Sequence, residues 1–296
     1  FLGKKLKKYK IERQNITFGY ADRFDEKYDL VRSVRKGKFK YIRNYQPFNV
    51  DGLYNFYRYK MLAYKEWYNL FQNGKLNEVQ SQFFKPRTPE ALYNIEEDPH
   101  ETNNLANDDN YNETLTGLRN ELNNHLISIN DLSFLPEPHL LQNGLDDIVD
   151  YSEKNKDLIK SLIEISDLML YDYNEVSSKI KQALDDGNPW VRYWGLIVSS
   201  TFGDLALENN EKINFIFEND SENLVRMRAA EFMLLNNIEI SDSKINSLLV
   251  RSNFEAEANL MLNTLANLKT KNSNFKLELG KEVYPDDWFP PIRNEN

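Results

Sequence analysis

The residues able to do chemistry are few in this chain. It has no Cys and only three His, at 100, 125 and 139. Disulfides, thiolate zinc sites and a cysteine nucleophile, native or modified, are therefore excluded. The three His are far apart in sequence and read as structural, with His125 on the polar side of a helix. Doubled acids stand at Asp108-Asp109, Asp146-Asp147, Asp185-Asp186 and Asp286-Asp287. Such pairs can ligate Ca²⁺ or Mg²⁺, but each lies in a turn or at an expected helix end, where caps and solvated acids belong. No catalytic triad, G-x-G-x-x-G or G-x-x-x-x-G-K-[ST] can be read. No catalytic residue and no metal ligand is assigned. The densest polar cluster is YADRFDEKYDLVRSVR, residues 20–35. Asp22, Arg23, Asp25 and Glu26 fall there in a short connection between two strands. Charges at strand ends can reach a ligand; they can equally close a salt-bridged loop.

Composition narrows the partners. The 296 residues carry a net charge of −9, unevenly spread. Residues 1–45 hold 14 Lys/Arg against 5 Asp/Glu, and the remainder 23 against 41. Phosphate neutralisation dominates nucleic-acid affinity, so the acidic bulk argues against a nucleic-acid partner. Lys4, Lys5, Lys7, Lys8 and Lys10 read as a solvated basic segment, with a polyanion-binding arm as the lesser alternative. No apolar run reaches 18 residues, so no membrane partner is expected. No signal peptide is read, and a first residue of Phe suggests a chain that continues upstream.

The elements that must hold the polar cluster are short β-like runs. Asn15–Tyr20, Tyr28–Arg35 and Phe39–Tyr45 are three, with Lys36-Gly37-Lys38 as a hairpin turn. Ala91–Ile95 supplies a fourth. Between the third and fourth, Gly52–Gly74 places Phe56, Met61, Tyr64, Trp67, Tyr68 and Phe71 at helical spacing. Residues 110–129 repeat Leu115, Leu118, Leu122 and Leu126 as an amphipathic helix that packs on the sheet. Pro136 and Pro138 mark a boundary. The fold class is thus α+β, a small antiparallel sheet with packed helices, followed by an all-α segment. The expected units are 1–135, a linker at 136–150, helical repeats at 151–283 and a Pro-rich tail at 284–296 that lies back on the body through Trp288 and Phe289.

The helical region contains a pair of self-similar segments. Val191-Arg192 and Val225-Arg226 stand 34 residues apart, each after an acidic turn, and Leu249–Leu268 is a weaker third copy. The pattern resembles HEAT repeats, where Asp caps the second helix, Val seats it, and Arg binds turn carbonyls or a neighbouring Asp.

Residues 18–47 followed by EALYNIEEDPHETNNLAND (90–108) resemble the C-terminal region of a bacterial type I sulfatase, of the alkaline-phosphatase-like superfamily. The likeness is to heparan N-sulfatase-like and arylsulfatase-like members. The family pattern runs roughly E-L-Y-D-L-x-x-D-P-x-E-x-x-N-L-A. Here it is met by Glu90, Leu92, Tyr93, Asp98, Pro99, Glu101, Asn104, Leu105 and Ala106, with mild departures at Ala91, Asn94 and Ile95. Leu118-Arg119 fits a following L-R-x-x-L. This block reads as structural: Asp98-Pro99 ends a strand, Glu101 and Asn104 bond turn amides, Leu105 plugs the core.

The resemblance implies a sulfuric ester hydrolase whose chemistry lies elsewhere. Sulfatases use a formylglycine made in a C/S-x-P/A-x-R motif and a Ca²⁺ held by Asp and Asn. This chain has no such motif, so neither group is carried over. The implied partners are an N-terminal catalytic domain and a sulfated saccharide, and the implied location is periplasmic or extracellular. The D-R-F-D-E loop would line the substrate cleft. Arg23 would pair bidentately with a sulfate or carboxylate, while Asp22, Asp25 or Glu26 accept sugar hydroxyls or orient Arg23. The alternative is a non-enzymatic repeat module that binds a protein or glycan, with Tyr171, Tyr173, Trp190, Tyr193 and Trp194 as its face or as its core.

Overall fold

The computed structural model describes residues 15–24, 27–53, 55–271, 277–280 and 283. The basic segment before Asn15 and the tail from Tyr284 lie outside the described residues.

Four antiparallel strands form one sheet in the order β1-β2-β3-β4: β1 Ile16–Phe24, β2 Lys27–Lys36, β3 Phe39–Asn44 and β4 Glu90–Asn94. The hairpin turn between β2 and β3 falls where Lys36-Gly37-Lys38 predicts it. Gly37 adopts φ 61°, a left-handed conformation that costs glycine little. Register sets the two faces. Phe18, Val34, Tyr41 and Leu92 stand opposite one another across all four strands and face the helices. Val31 and Ile42 point the other way, as the period of two requires.

Between β3 and β4 the expected single helix is two. α1 (Phe56–Lys60) and α2 (Leu62–Gln72) are broken at Met61, whose backbone is extended. Asn55 and Asn77 cap α1 and the short α3 (Glu78–Ser81). α2 buries no residue fully. Its Trp67 and Phe71 instead stack on Phe83 and Phe84, with ring centroids 4.7 and 4.8 Å apart.

α4 (Asn112–Ser128) buries Leu115, Leu118, Leu122 and Leu126 against the sheet, as the leucine spacing demands. Residues 136–150 hold α5 (Glu137–Asn143) and the start of α6 (Ile148–Lys154). α7 (Lys156–Ser166) then leads to three helix pairs: α8 (Tyr173–Asp185) with α9 (Pro189–Phe202), α10 (Asn210–Asn219) with α11 (Asn223–Leu235), and α12 (Asp242–Val250) with α13 (Glu255–Lys271). α9 packs on α11, and α11 on α13. α8 and α9 approach closely at Gly195, where an added Cβ would stand 3.1 Å from that of Ala183.

The turn chemistry explains the recurring Val-Arg. Val191 and Val225 are buried. Arg192 donates to the carbonyls of Asp186 and Gly187 and pairs with Asp220 of the next turn at 2.7 Å. Arg226 donates to the Phe217 carbonyl. The cap of α9 is Asn188 rather than the preceding Asp186, which accepts from the Asn188 amide instead.

One apolar core runs from the sheet through the helix pairs. Trp194, fully buried, donates its indole N–H to the Phe134 carbonyl at 2.8 Å and meets the Tyr45 ring edge-on. No helix among the described residues is long and apolar enough to cross a membrane.

Candidate functional site

The β1–β2 hairpin carries the polar cluster. Its register slips between Ala21 and Arg23, where Asp22 of β1 stands against two residues of β2, Asp29 and Leu30. Asp22 shares the helix-facing side with Phe18 and Tyr20, as strand alternation requires. One carboxylate oxygen pairs with Arg32 Nη1; the other accepts from the Ser133 hydroxyl at 3.0 Å. Arg32 is buried and also grips Asp131 through Nε at 2.6 Å and Nη2 at 3.2 Å. Burial works against its charge, but the hydrogen bonds and charges of Asp131 and Asp22 outweigh it and hold the guanidinium above its ordinary pKa. Asp22 thus anchors the base of the hairpin tip. Arg23 stands opposite Tyr28 in the ladder; its side chain, with Asp25 and Glu26, lies outside the described residues.

The side of the sheet away from the helices is open. A groove of about 750 Å³ starts at Ala21 and Asp22 and crosses Val31, Ile42, Asn44, Ala91 and Tyr93. Trp67, Phe83, His100 and Thr102 also line it. Asp29, Asp51, Glu78 and Glu101 line it too, against Lys85 and Arg87. Arg87 is already spent: Asp29 holds it at 2.7 and 3.0 Å, and Gln46 accepts from it at 3.0 Å. Burial opposes its charge, and Asp29 more than compensates. Glu101 pairs with Lys40 at 2.7 Å. Burial, then the charges of Glu101, Asp51 and Asp98, push the Tyr93 phenol up. The groove offers rings, carboxylates and amides, a lining suited to hydroxyl-rich ligands. Of its acids, Asp22, Asp29 and Glu101 are already paired with Arg32, Arg87 and Lys40.

The 90–106 block has the structural role its residues imply, with one exchange of roles. Asp98, not Glu101, takes the turn amides, accepting from Thr102 and Asn103 at 2.8 Å each. The hydrogen bond from Asn103, partly offset by desolvation, and those of Thr102 hold its carboxyl below the usual range. Glu101, at φ 55°, turns away to Lys40. Asn104 accepts from Leu92 and Ala106, and Leu105 packs against the core. Arg119 of the L-R pair grips Glu90 at 2.6 and 2.9 Å, and Tyr41 donates to the same carboxylate.

The other candidates are structural. His125 stacks on Phe18 with centroids 3.6 Å apart, covering that ring rather than facing only water. His139 bonds the Tyr151 hydroxyl at 2.8 Å, and burial lowers its pKa. Asp108 and Asp147 cap helical turns. Tyr173, Trp190, Tyr193 and Trp194 are core residues, and of the five aromatics only Tyr171 is exposed. Among the described residues no three His, Asp or Glu side chains converge in a group that could hold a metal.

Two polar centres are not evident from the sequence. Arg43 is almost fully buried, donating to the Pro89 and Ser166 carbonyls at 2.8 and 2.9 Å. A signal existed: Arg43 alternates with Phe39, Tyr41 and Tyr45 on an apolar face. The Arg87–Asp29 pair had none, since 58 residues separate its partners.

One known protein is similar to part of the chain. Over 137 residues the chain is 41% identical to the Ulvan-active sulfatase of Formosa agariphila. This chain is related to a sulfatase. The match takes 46% of the chain but spans only 23% of that sulfatase's length. No protein-family model matches the chain.

Proposed function

We propose that the chain is the C-terminal portion of a sulfatase, a hydrolase of sulfuric esters. It packs on the catalytic domain and completes the cleft for a sulfated sugar. The observation that carries this is the 41% identity to a sulfatase named for ulvan. Nucleophile and calcium site lie outside the chain, which holds neither Cys nor a Ser-x-Pro/Ala-x-Arg motif. The helix pairs are a short HEAT-like stack, and the protein works in the periplasm or outside the cell.

The geometry supports a division of labour within the cleft. The groove begins at the bulge that roots the D-R-F-D-E tip. A saccharide lying there would set its sulfate against Arg23, with Asp25 and Glu26 on hydroxyls, and run its uncharged end into the carboxylate-lined groove. Asp22 serves this arrangement by fixing the base of the tip through Arg32. The test is Arg23→Ala in the full-length protein. A KM for sulfated saccharide raised about tenfold or more, with folding intact, is the expected result. An unaltered KM removes Arg23 from the cleft.

A further inference from the structure

α4 packs on β2 and β3 and ends at Ser128. The helix-facing side chains of the edge strand β1 therefore meet unequal cover. Phe18 lies under the His125 imidazole, stacked on it with centroids 3.6 Å apart. Tyr20, the next residue on that face, is 81% exposed. Ile129, at the C-cap of α4, is 52% exposed. Tyr20, Ile129 and the Phe18–His125 stack line a cleft of about 410 Å³, in the size range of small-ligand sites. Its polar lining is the Asp22–Arg32–Asp131 clamp with Ser133. Every nitrogen of Arg32 is engaged: Nε and Nη2 by Asp131, Nη1 by Asp22 and the Val31 carbonyl. What the cleft offers a ligand is therefore acceptors. The Asp22 side chain is 32% exposed, and the Ser133 hydroxyl, which donates to it, keeps its own lone pairs. Asp22 lines the groove on the open side as well, so the two depressions meet there across the edge of β1.

We propose that the cleft between β1 and the end of α4 is a subsite for an uncharged sugar ring, continuing the saccharide path beyond the groove. The proposal rests on the reading of this chain as part of a saccharide cleft. Tyr20 is the platform. Its exposed ring meets the C–H face of a sugar through dispersion and keeps a hydroxyl for the polar edge. Ile129 adds apolar contact. Asp22 and Ser133 accept from the sugar hydroxyls, the carboxylate more strongly. A sulfate finds no unengaged N–H on Arg32, so the ring that fits is a neutral one. The substrate class that fills both depressions is an oligosaccharide that bears its sulfate away from this end, rather than a sulfated monosaccharide.

The experiment compares Tyr20→Ala and Tyr20→Phe with the parent in the full-length protein. Because Tyr20 is exposed, truncating it opens no cavity. The readouts are KM and kcat on sulfated oligosaccharides of two and of eight sugar units, and calorimetric binding of the eight-unit chain after chemical desulfation. Tyr20→Ala is expected to raise the eight-unit KM about fivefold and to weaken calorimetric binding by a similar factor. Its kcat and its two-unit KM stay within about twofold of the parent. Tyr20→Phe, which keeps the ring, matches the parent within about twofold on every readout. An eight-unit KM unchanged in Tyr20→Ala overturns the subsite. So does an equal rise for both lengths, or a lowered melting temperature, either of which makes Tyr20 a packing contact with the upstream domain. If the parent releases no sulfate at all, the sulfatase reading fails and calorimetry still decides the subsite. Binding of the desulfated chain that Tyr20→Ala weakens sustains it; absent binding, or binding that Tyr20→Ala leaves unchanged, overturns it.

Discussion

The two faces of the sheet are built on opposite plans. Toward the helices, Phe18, Val34, Tyr41 and Leu92 form an apolar ladder, and Arg32, Arg43 and Arg119 are each matched with carboxylates or carbonyls. Toward the open side, Ala21, Val31, Ile42, Ala91 and Tyr93 give a shallower floor bordered by acids and rings. A buried guanidinium tolerates little change, because losing it strands several acceptors at once. A half-covered floor tolerates much more. The closed face therefore specifies the fold, and the open face is where recognition can vary without unfolding the protein.

The largest test of that contrast is Trp194→Ala. Removing a fully buried indole and its bond to Phe134 should cost about 3–5 kcal/mol. Because one core joins sheet and helix pairs, urea unfolding should show a single earlier transition by far-UV dichroism and by tyrosine fluorescence alike. Two separated transitions would mean that sheet and helix pairs are independent, contrary to the shared core.

Arg43→Met comes next. It leaves the Pro89 and Ser166 carbonyls without their donor and should cost about 3 kcal/mol by denaturant titration. A variant as stable as the parent would show that the apolar methionine substitutes for the network. On the open face, Ile42→Ala should cost only about 1 kcal/mol, since that side chain is half-buried. A loss equal to that of Arg43→Met would erase the difference between the faces.

The smallest effect concerns pH. Burial lowers the His139 pKa beneath its ordinary value. Its neutral form is thus the folded one, and its contribution is complete above about pH 6.5 and is lost as pH falls through the lowered value. His139→Gln should flatten the fall in melting temperature below about pH 6.5. A fall of unchanged steepness would assign it to the carboxylates instead, Asp98 among them.

Much of this was legible in the chain itself. Alternation in FKYIRNY and the Gly37 turn located the central hairpin, and the leucines of α4 located the helix beneath it. The block around Asp98-Pro99 located β4 and its turn. The 34-residue spacing of Val-Arg located two helix pairs and the arginine contacts to turn carbonyls. What could not be read has physical reasons. The bulge at Asp29 and Leu30, opposite Asp22, carries no glycine to announce it, so the slip in register is visible only in the ladder. The break at Met61 interrupts a stretch whose apolar spacing continues through it. Asn263 of α13 accepts from the Tyr28 amide at 3.1 Å, a contact between residues 235 positions apart that no local pattern announces. For the site, the sequence placed Asp22 in the right hairpin, while the clamp that holds it depends on Asp131 and Ser133, more than a hundred residues on.

The central claim is that this chain shapes a sulfatase cleft without supplying the nucleophile. It is tested most directly by measuring sulfate release from a chromogenic aryl sulfate and from a sulfated oligosaccharide, with the full-length protein beside residues 1–296 alone. The account predicts release by the full-length protein and none by the 296-residue chain. Turnover by the isolated chain would contradict it.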